Sequence, residues 1–111
     1  MVREESEIIN EIKKLVQSLK KNIKLDSVIL FGSYAKGTAV EESDVDIAVI
    51  SPEFGQNPLK DKQLIYRTII KEGIEPFFEI HTFTPGEFKA SNSYFISEIR
   101  STGKMIWADS V

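Results

Sequence analysis

The chain of 111 residues is 41% hydrophobic and 28% charged, a composition that is typical of globular proteins and excludes general disorder. Its length predicts a single domain, residues 1–111. The net charge of −3 provides no basic field to attract nucleic acid, so no polynucleotide partner is expected. Cysteine is absent, which excludes disulfides and thiolate metal sites.

The N-terminal sequence is charged and contains no signal-type apolar region. The longest apolar runs are four residues, whereas a membrane-spanning helix needs about 20. We therefore expect a cytoplasmic protein that has no membrane segment.

The first half of the chain predicts a helix, a strand, one helical turn and a second strand. Apolar residues recur at helical spacing within residues 4–21 and predict an amphipathic helix. Four consecutive apolar residues in the segment Ser27–Phe31 predict a strand that is buried on both faces. Gly32 permits a turn, residues 33–36 can form one helical turn, and residues 44–50 predict the second strand.

The second half repeats this alternation of strands and helices. Asn57 is a typical N-cap followed by proline, and the helix that it begins is expected to end at Gly73. Thr84 and Glu87 form a capping-box pattern at the start of another helix. The other predicted elements are a strand at 77–83, a helix break at 91–93, a helix at 94–102 and a strand at 104–107. This order predicts an α/β (α+β) fold, a small mixed sheet with helices packed mainly on one face.

Two aspartates at the start of the second strand carry the first chemical signal. Side chains alternate along a strand, so Asp44 and Asp46 share one face. Mg²⁺ is commonly bound by one or two carboxylates together with phosphate oxygens. The alternative is that Asp44 caps the loop and Asp46 is a solvated strand residue.

The loop before these aspartates has features of a phosphate-binding turn. Gly32 and Ser33 lie at a strand-to-helix turn, where backbone N–H groups and a hydroxyl suit a phosphate, and Lys36 adds a positive charge. The loop is not a Walker P-loop, because Lys36-Gly37-Thr38 reverses the Gly-Lys-Thr order that this motif needs.

Gly32-Ser33, ten residues, and then Asp44-x-Asp46 resemble the signature of the DNA polymerase β-like nucleotidyltransferase superfamily. Ala35, Gly37 and Ser43 extend the similarity to its minimal nucleotidyltransferase (MNT) branch. Lys36 stands where many members carry arginine, which keeps the charge but loses the bidentate fork. The C-terminal half, residues 84–88 and 94–107, is also similar to this family. The resemblance implies a polymerase β palm-like fold.

The resemblance also implies the members of a site. The family uses a third carboxylate on a later strand, and the matching residue is Glu79, one methylene longer than the usual aspartate. Asp44, Asp46 and Glu79 would then be catalytic and hold two Mg²⁺ ions. The nucleotide, ATP or another NTP, would be bound by Gly32, Ser33, Lys36 and Ser43. The alternative is that Glu79 is only a structural residue and that the protein is inactive.

The activity implied by the resemblance is transfer of a nucleoside monophosphate, AMP from ATP, to an acceptor hydroxyl. Stand-alone members are often paired with a HEPN-domain toxin, which implies an antitoxin that modifies a tyrosine of this partner. One alternative is a small-molecule nucleotidyltransferase of the aminoglycoside type, in which a homo-oligomer forms the acceptor pocket. Another is a non-catalytic antitoxin that neutralises its partner by binding.

Several nearby residues are open to two interpretations. His81 shares a strand face with Glu79 and is interpreted as a structural residue or as a partner behind the metal ligands. Tyr34 either flanks the nucleotide or is an exposed loop residue. Five phenylalanines are expected in the core rather than in a base-stacking platform: Phe77, Phe78, Phe83, Phe88 and Phe95.

Overall fold

The structure is a computed structural model that describes residues 4–41, 43–75 and 77–109. Its elements are, in order, α1 (Glu5–Leu19), β1 (Ser27–Phe31), α2 (Ser33–Lys36), β2 (Val45–Ile50), α3 (Pro58–Glu72), β3 (Phe78–Phe83), α4 (Pro85–Ala90), α5 (Tyr94–Thr102) and β4 (Lys104–Ala108). The predicted order is confirmed, and each element ends within two residues of its expected position. None of the described helices is both long and apolar enough to cross a membrane.

The four strands form one mixed sheet in the order β3-β2-β1-β4. β1 pairs antiparallel with β2 and with β4, whereas β2 pairs parallel with β3. A parallel pair needs a crossover connection, and α3 supplies it. The registers set Asp46 directly beside Phe31 on one side and Glu79 on the other.

One face of the sheet, the core face, packs beneath the two long helices. The apolar stripe of α1 meets alternate residues of the three strands β1, β2 and β3, and Ile65 and Ile69 of α3 join the same cluster. The strand residues of this cluster are Val28, Leu30, Val45, Ile47, Val49, Phe78 and Ile80. The predicted stripe of α1 is buried except for Ile9, which is partly buried.

The opposite face, the site face, is covered only in part. Ile29, Phe31, Ala48 and Ile50 form a smaller cluster with Ile99 of α5. Phe83 and Phe88 are partly buried against it. The expected arrangement therefore holds for the long helices α1 and α3, and α5 adds a shorter cover on the other side. The strand residues of the site face that α5 does not cover lie on β2 and β3.

Local capping fixes the helix ends as the sequence predicts. The Asn57 side chain accepts a hydrogen bond from the Lys60 N–H, and α3 ends at the left-handed Gly73. At the start of α4 both hydrogen bonds of the Thr84–Glu87 capping box are present. Because α4 begins directly after β3, this cap also fixes the point at which the third strand leaves the sheet.

Candidate active site

The turn after β1 places a bare backbone against a carboxylate. Gly32 has φ 77° and ψ −155°, a conformation that is essentially restricted to glycine. A Cβ atom at this position would lie 2.5 Å from Oδ2 of Asp46, closer than real Cβ contacts allow. Gly32 is therefore required both by its dihedral angles and by the close approach of Asp46.

Asp46 and Glu79 lie side by side on the parallel strands β2 and β3. The pKa of Glu79 is raised above its ordinary value, first because the Asp46 carboxyl hydrogen-bonds it, and then because of partial burial and the negative charges of Asp46 and Asp44. The electrostatic interaction of Glu79 with His81 opposes this shift. Two adjacent carboxylates that favour a shared proton are a place where a bound cation would relieve repulsion.

His81 completes the group at the open end of the site face. Its Nε2 lies 3.7 Å from Oδ1 of Asp46 and 3.9 Å from Oε1 of Glu79. Among the residues that the structure describes, Asp46, Glu79 and His81 each offer one potential ligand atom, and these atoms all lie within 4.8 Å of one another. Two carboxylates and one imidazole at this spacing are a donor set that a divalent cation fits.

Two phenylalanines hold the imidazole in place. The ring centroid of His81 lies 5.3 Å from that of Phe31 and 5.1 Å from that of Phe95. The two phenyl rings are 5.7 Å apart in an edge-to-face arrangement, so the three rings contact one another pairwise. Phe31 is buried in β1, whereas Phe95, on the first turn of α5, is 42% exposed.

Asp44 does not belong to this three-residue group. It directly precedes β2 and is exposed, so the expected strand begins one residue later than predicted. Its negative charge nevertheless contributes to the raised pKa of Glu79, which places it in the electrostatic surroundings of the site. The two aspartates of the D-x-D motif thus have different positions: Asp46 on the strand beneath Gly32, Asp44 at its entrance.

The expected nucleotide-binding residues occupy the loop above the carboxylates. Ser33 is the first residue of α2, and its carbonyl accepts a hydrogen bond from the Thr38 N–H. The ammonium of Lys36 forms an ion pair with Glu98 of α5 at 3.3 Å. The Ser43 hydroxyl accepts a hydrogen bond from the Val40 N–H at 2.8 Å and so closes the loop before Asp44. Ser43 therefore has a structural role that its motif position did not indicate.

Three aromatic predictions are wrong. Tyr34 neither flanks the site nor lies exposed in the loop, because α2 turns its ring into the core face, where it is 6% exposed. Phe77 is 67% exposed and stacks on Tyr66 outside the strand. Phe95 contacts His81 at the site rather than the core. Phe78 is buried as predicted, and Phe83 and Phe88 are partly buried.

The sequence did not predict that His81 approaches both Asp46 and Glu79. Glu79 and His81 are two positions apart on β3, so they share a face, and this signal was present in the sequence. What the sequence did not supply was the register that puts Asp46 opposite Glu79. That register brings the imidazole to both carboxylates.

The chain is similar to known proteins over most of its length. The family model described as "Nucleotidyltransferase domain" matches residues 10–101. A protein of Methanocaldococcus jannaschii, named "Putative protein adenylyltransferase MJ0141", is 39% identical over 98 residues, which are 87% of this chain and 93% of that protein.

Two solved structures share the fold. One, a toxin–antitoxin with AMP-PNP, has a TM-score of 0.62 at 24% identity over 92% of this chain and 74% of the matched chain. The other, a tri-AMPylated Shewanella oneidensis HEPN toxin in complex with MNT antitoxin, has a TM-score of 0.56 at 21% identity over 93% of this chain and 73% of the matched chain. With the family model matching most of its residues, and with a nucleotidyltransferase-like mixed sheet, this chain belongs to the nucleotidyltransferase domain family.

Proposed function

We propose that this protein transfers AMP from ATP to a tyrosine hydroxyl of a HEPN-domain partner, and thereby acts as an antitoxin. The observation that carries the reaction type is the pairing of Asp46 with Glu79 beneath the Gly32 turn, in a chain of the nucleotidyltransferase family. The HEPN partner is supported by the fold shared with a structure of an AMPylated HEPN toxin and MNT antitoxin. Modification of a protein, rather than of a small molecule, is supported by the 39% identical relative named as a protein adenylyltransferase.

The turn between β1 and α2 would receive the phosphates of the nucleotide. Gly32 has no side chain and Ser33 offers a hydroxyl at the start of α2, so a phosphate can approach the backbone closely. Lys36 would have to exchange Glu98 for a phosphate oxygen, and because their ion pair is largely exposed this exchange costs little. Ser43 would hold the loop closed from the Asp44 side.

Asp44, Asp46 and Glu79 would hold Mg²⁺, two ions in the active complex, and the oxygen donors on β2 and β3 fit this ion. When bound, Mg²⁺ supplies charge stabilisation for the phosphates and lowers the pKa of the attacking hydroxyl. Asp46 is fixed by the Gly32 turn and by its strand, so it orients whatever the two carboxylates bind.

The chain's own contribution to the chemical step is positioning and proton acceptance. The acceptor oxygen forms a bond to the α-phosphorus, and the bond from that phosphorus to the bridging oxygen breaks, so pyrophosphate leaves with the electron pair. Glu79, beside Asp46 on β3, would accept the hydroxyl proton if it does not itself ligate an ion. Phe95, which contacts His81 and is 42% exposed, would be one of the residues that an acceptor contacts.

The test is labelling of the protein encoded by the neighbouring gene, which under this proposal has a HEPN domain. Purified partner, α-labelled ATP and Mg²⁺ are combined with the wild type or with Asp46→Asn. We expect label on a partner tyrosine with the wild type, and a loss of about 100-fold or more in rate with the variant, because a positioned charge at the reacting centre is removed.

Glu7→Gln is the matched control, since it neutralises an exposed carboxylate on α1, away from the site face. It is expected to label the partner at the wild-type rate. Equal labelling by the wild type and Asp46→Asn, or no labelling by either while the partner is still neutralised, would contradict the proposed reaction. The second result would instead favour an antitoxin that acts by binding alone.

A further inference from the structure

The site face contains a donor that a site for Mg²⁺ alone does not require. Mg²⁺ is bound by hard oxygen ligands, whereas imidazole is a ligand of transition ions. His81 nevertheless points Nε2 at both Asp46 and Glu79, at 3.7 and 3.9 Å. We propose that His81 is a metal ligand, and that Asp46, Glu79 and His81 hold a divalent first-row transition ion in preference to Mg²⁺, with Mn²⁺, the weakest binder of that series, as the probe.

The spacing of the three donors supports direct ligation. Nitrogen and oxygen ligands bound about 2.0–2.2 Å from one divalent ion lie roughly 3 Å apart. The donors of Asp46, Glu79 and His81 lie within 4.8 Å of one another, so each needs to move by less than about 1 Å to reach one ion. Glu79 has a half-exposed side chain that can make this movement.

The surroundings of His81 fix it as a ligand rather than as a mobile surface residue. Its ring is held between Phe31 and Phe95, at centroid distances of 5.3 and 5.1 Å. Its backbone is in β3, directly paired with Ala48 of β2. Asp46 is held equally firmly, by β2 and by the Gly32 turn. Two of the three donors are therefore preorganised, which lowers the cost of binding an ion.

The composition of the chain makes this inference unusually easy to test. His81 is the only histidine, so imidazole ligation of a metal by a side chain of this chain can occur only here, and thiolate ligation cannot occur because cysteine is absent. Any nitrogen from a side-chain imidazole that is detected on a bound Mn²⁺ ion must belong to His81. The inference rests on the metal site of the proposed function, but not on its acceptor or its partner.

The experiment uses the untagged protein with Mn²⁺ alone, without nucleotide or partner. The electron paramagnetic resonance signal of free Mn²⁺ gives the affinity of the protein for Mn²⁺, and competition by Mg²⁺ gives its affinity for Mg²⁺. Pulsed electron paramagnetic resonance detects nitrogen bound to Mn²⁺. His81→Phe keeps a ring between Phe31 and Phe95 but removes both nitrogens. Glu79→Gln is the control that weakens an oxygen donor shared by both ions.

We expect nitrogen coupling in the wild type and none in His81→Phe. Loss of a residue that hydrogen-bonds a metal ligand typically lowers metal affinity about 10–100-fold. Loss of the ligand itself should therefore weaken Mn²⁺ binding at least about tenfold. Mg²⁺ affinity should change less than about threefold, because oxygen donors dominate its binding. Glu79→Gln should lower the affinity for both Mn²⁺ and Mg²⁺.

Three results would overturn the inference. If His81→Phe lowered the affinities for Mn²⁺ and Mg²⁺ equally, His81 would be a positioning residue. If neither affinity changed, it would be a packing residue. Absence of Mn²⁺ binding to the wild type would overturn both this inference and the metal site of the proposed function. Failure to label a HEPN partner, with the Mn²⁺ results as expected, would leave this inference standing and overturn only the proposed acceptor.

Discussion

The two faces of the sheet are built from the same strands and serve opposite purposes. On the core face, Val45 and Ile47 of β2 are buried under α1 and α3. On the site face, Asp46 between them meets Glu79 and His81 at a partly exposed edge. Because side chains alternate across a strand, neighbouring residues of β2 have different roles: Val45 and Ile47 stabilise the core, and Asp46 belongs to the candidate site. Substitutions one residue apart should therefore differ in kind, which the following predictions test.

The largest loss of stability is expected from Ile47→Ala on the core face. Ile47 is completely buried and lies between Leu30 and Ile80. Its truncation removes apolar contacts and leaves a cavity, at a cost of about 2–5 kcal/mol in the free energy of unfolding. Urea unfolding measures the loss. Met105→Ala, on the exposed edge strand β4, is the control and should change this free energy by less than about 1 kcal/mol.

A smaller loss of stability, with a specific loss of metal response, is expected from Gly32→Ala. The new Cβ would meet the Asp46 carboxylate and occupy a backbone conformation whose strain costs about 1–3 kcal/mol. Gly37→Ala is the matched control, since φ there is 76° and, among the described residues other than its chain neighbours, none would lie within 4 Å of the new Cβ. It should cost about 1–2 kcal/mol and keep the rise in Tm that Mg²⁺ or Mn²⁺ produces. If both variants keep that rise, Gly32 does not shape the metal site.

Asp46→Asn should act in the opposite direction on stability. Like charges directly opposite on neighbouring strands destabilise, so neutralising one should raise the free energy of unfolding of the metal-free protein by roughly 0.2–1 kcal/mol. The same variant should lose the rise in Tm on adding metal. Thermal unfolding with and without Mg²⁺ measures both effects. A variant less stable than the wild type without metal would show that Asp46 stabilises the fold rather than straining it.

The smallest effect is a pH dependence that distinguishes Glu79. Its pKa in the folded protein is raised above the ordinary value of 4.5, mainly by its hydrogen bond with Asp46, so the folded state binds this proton more tightly than the unfolded state. The resulting stability is present below the ordinary pKa and is lost as pH rises through the folded pKa. The wild type should therefore lose stability relative to Glu79→Gln as pH increases above 4.5. A relative gain would mean that attraction by His81 outweighs repulsion by Asp46.

The fold was largely predictable because its signals are local. The apolar stripe of α1, the N-caps at Asn57 and Thr84, and Gly73 each mark an element through residues within a turn or two. The site was only partly predictable, since Glu79 meets Asp46 through strand pairing across the α3 crossover. The ion pair of Lys36 with Glu98 and the inward turn of Tyr34 likewise depend on packing between distant segments.

The parallel pairing of β2 with β3 has a consequence for the order of folding. β1 and β2 are joined by about a dozen residues and can pair early, whereas Asp46 and Glu79 are separated by about thirty residues that include all of α3. The two carboxylates should therefore meet late, when helix and strand packing already holds their backbones in place. Their repulsion then acts on a formed sheet and not on the folding nucleus, so neutralising either one should slow unfolding more than it speeds folding.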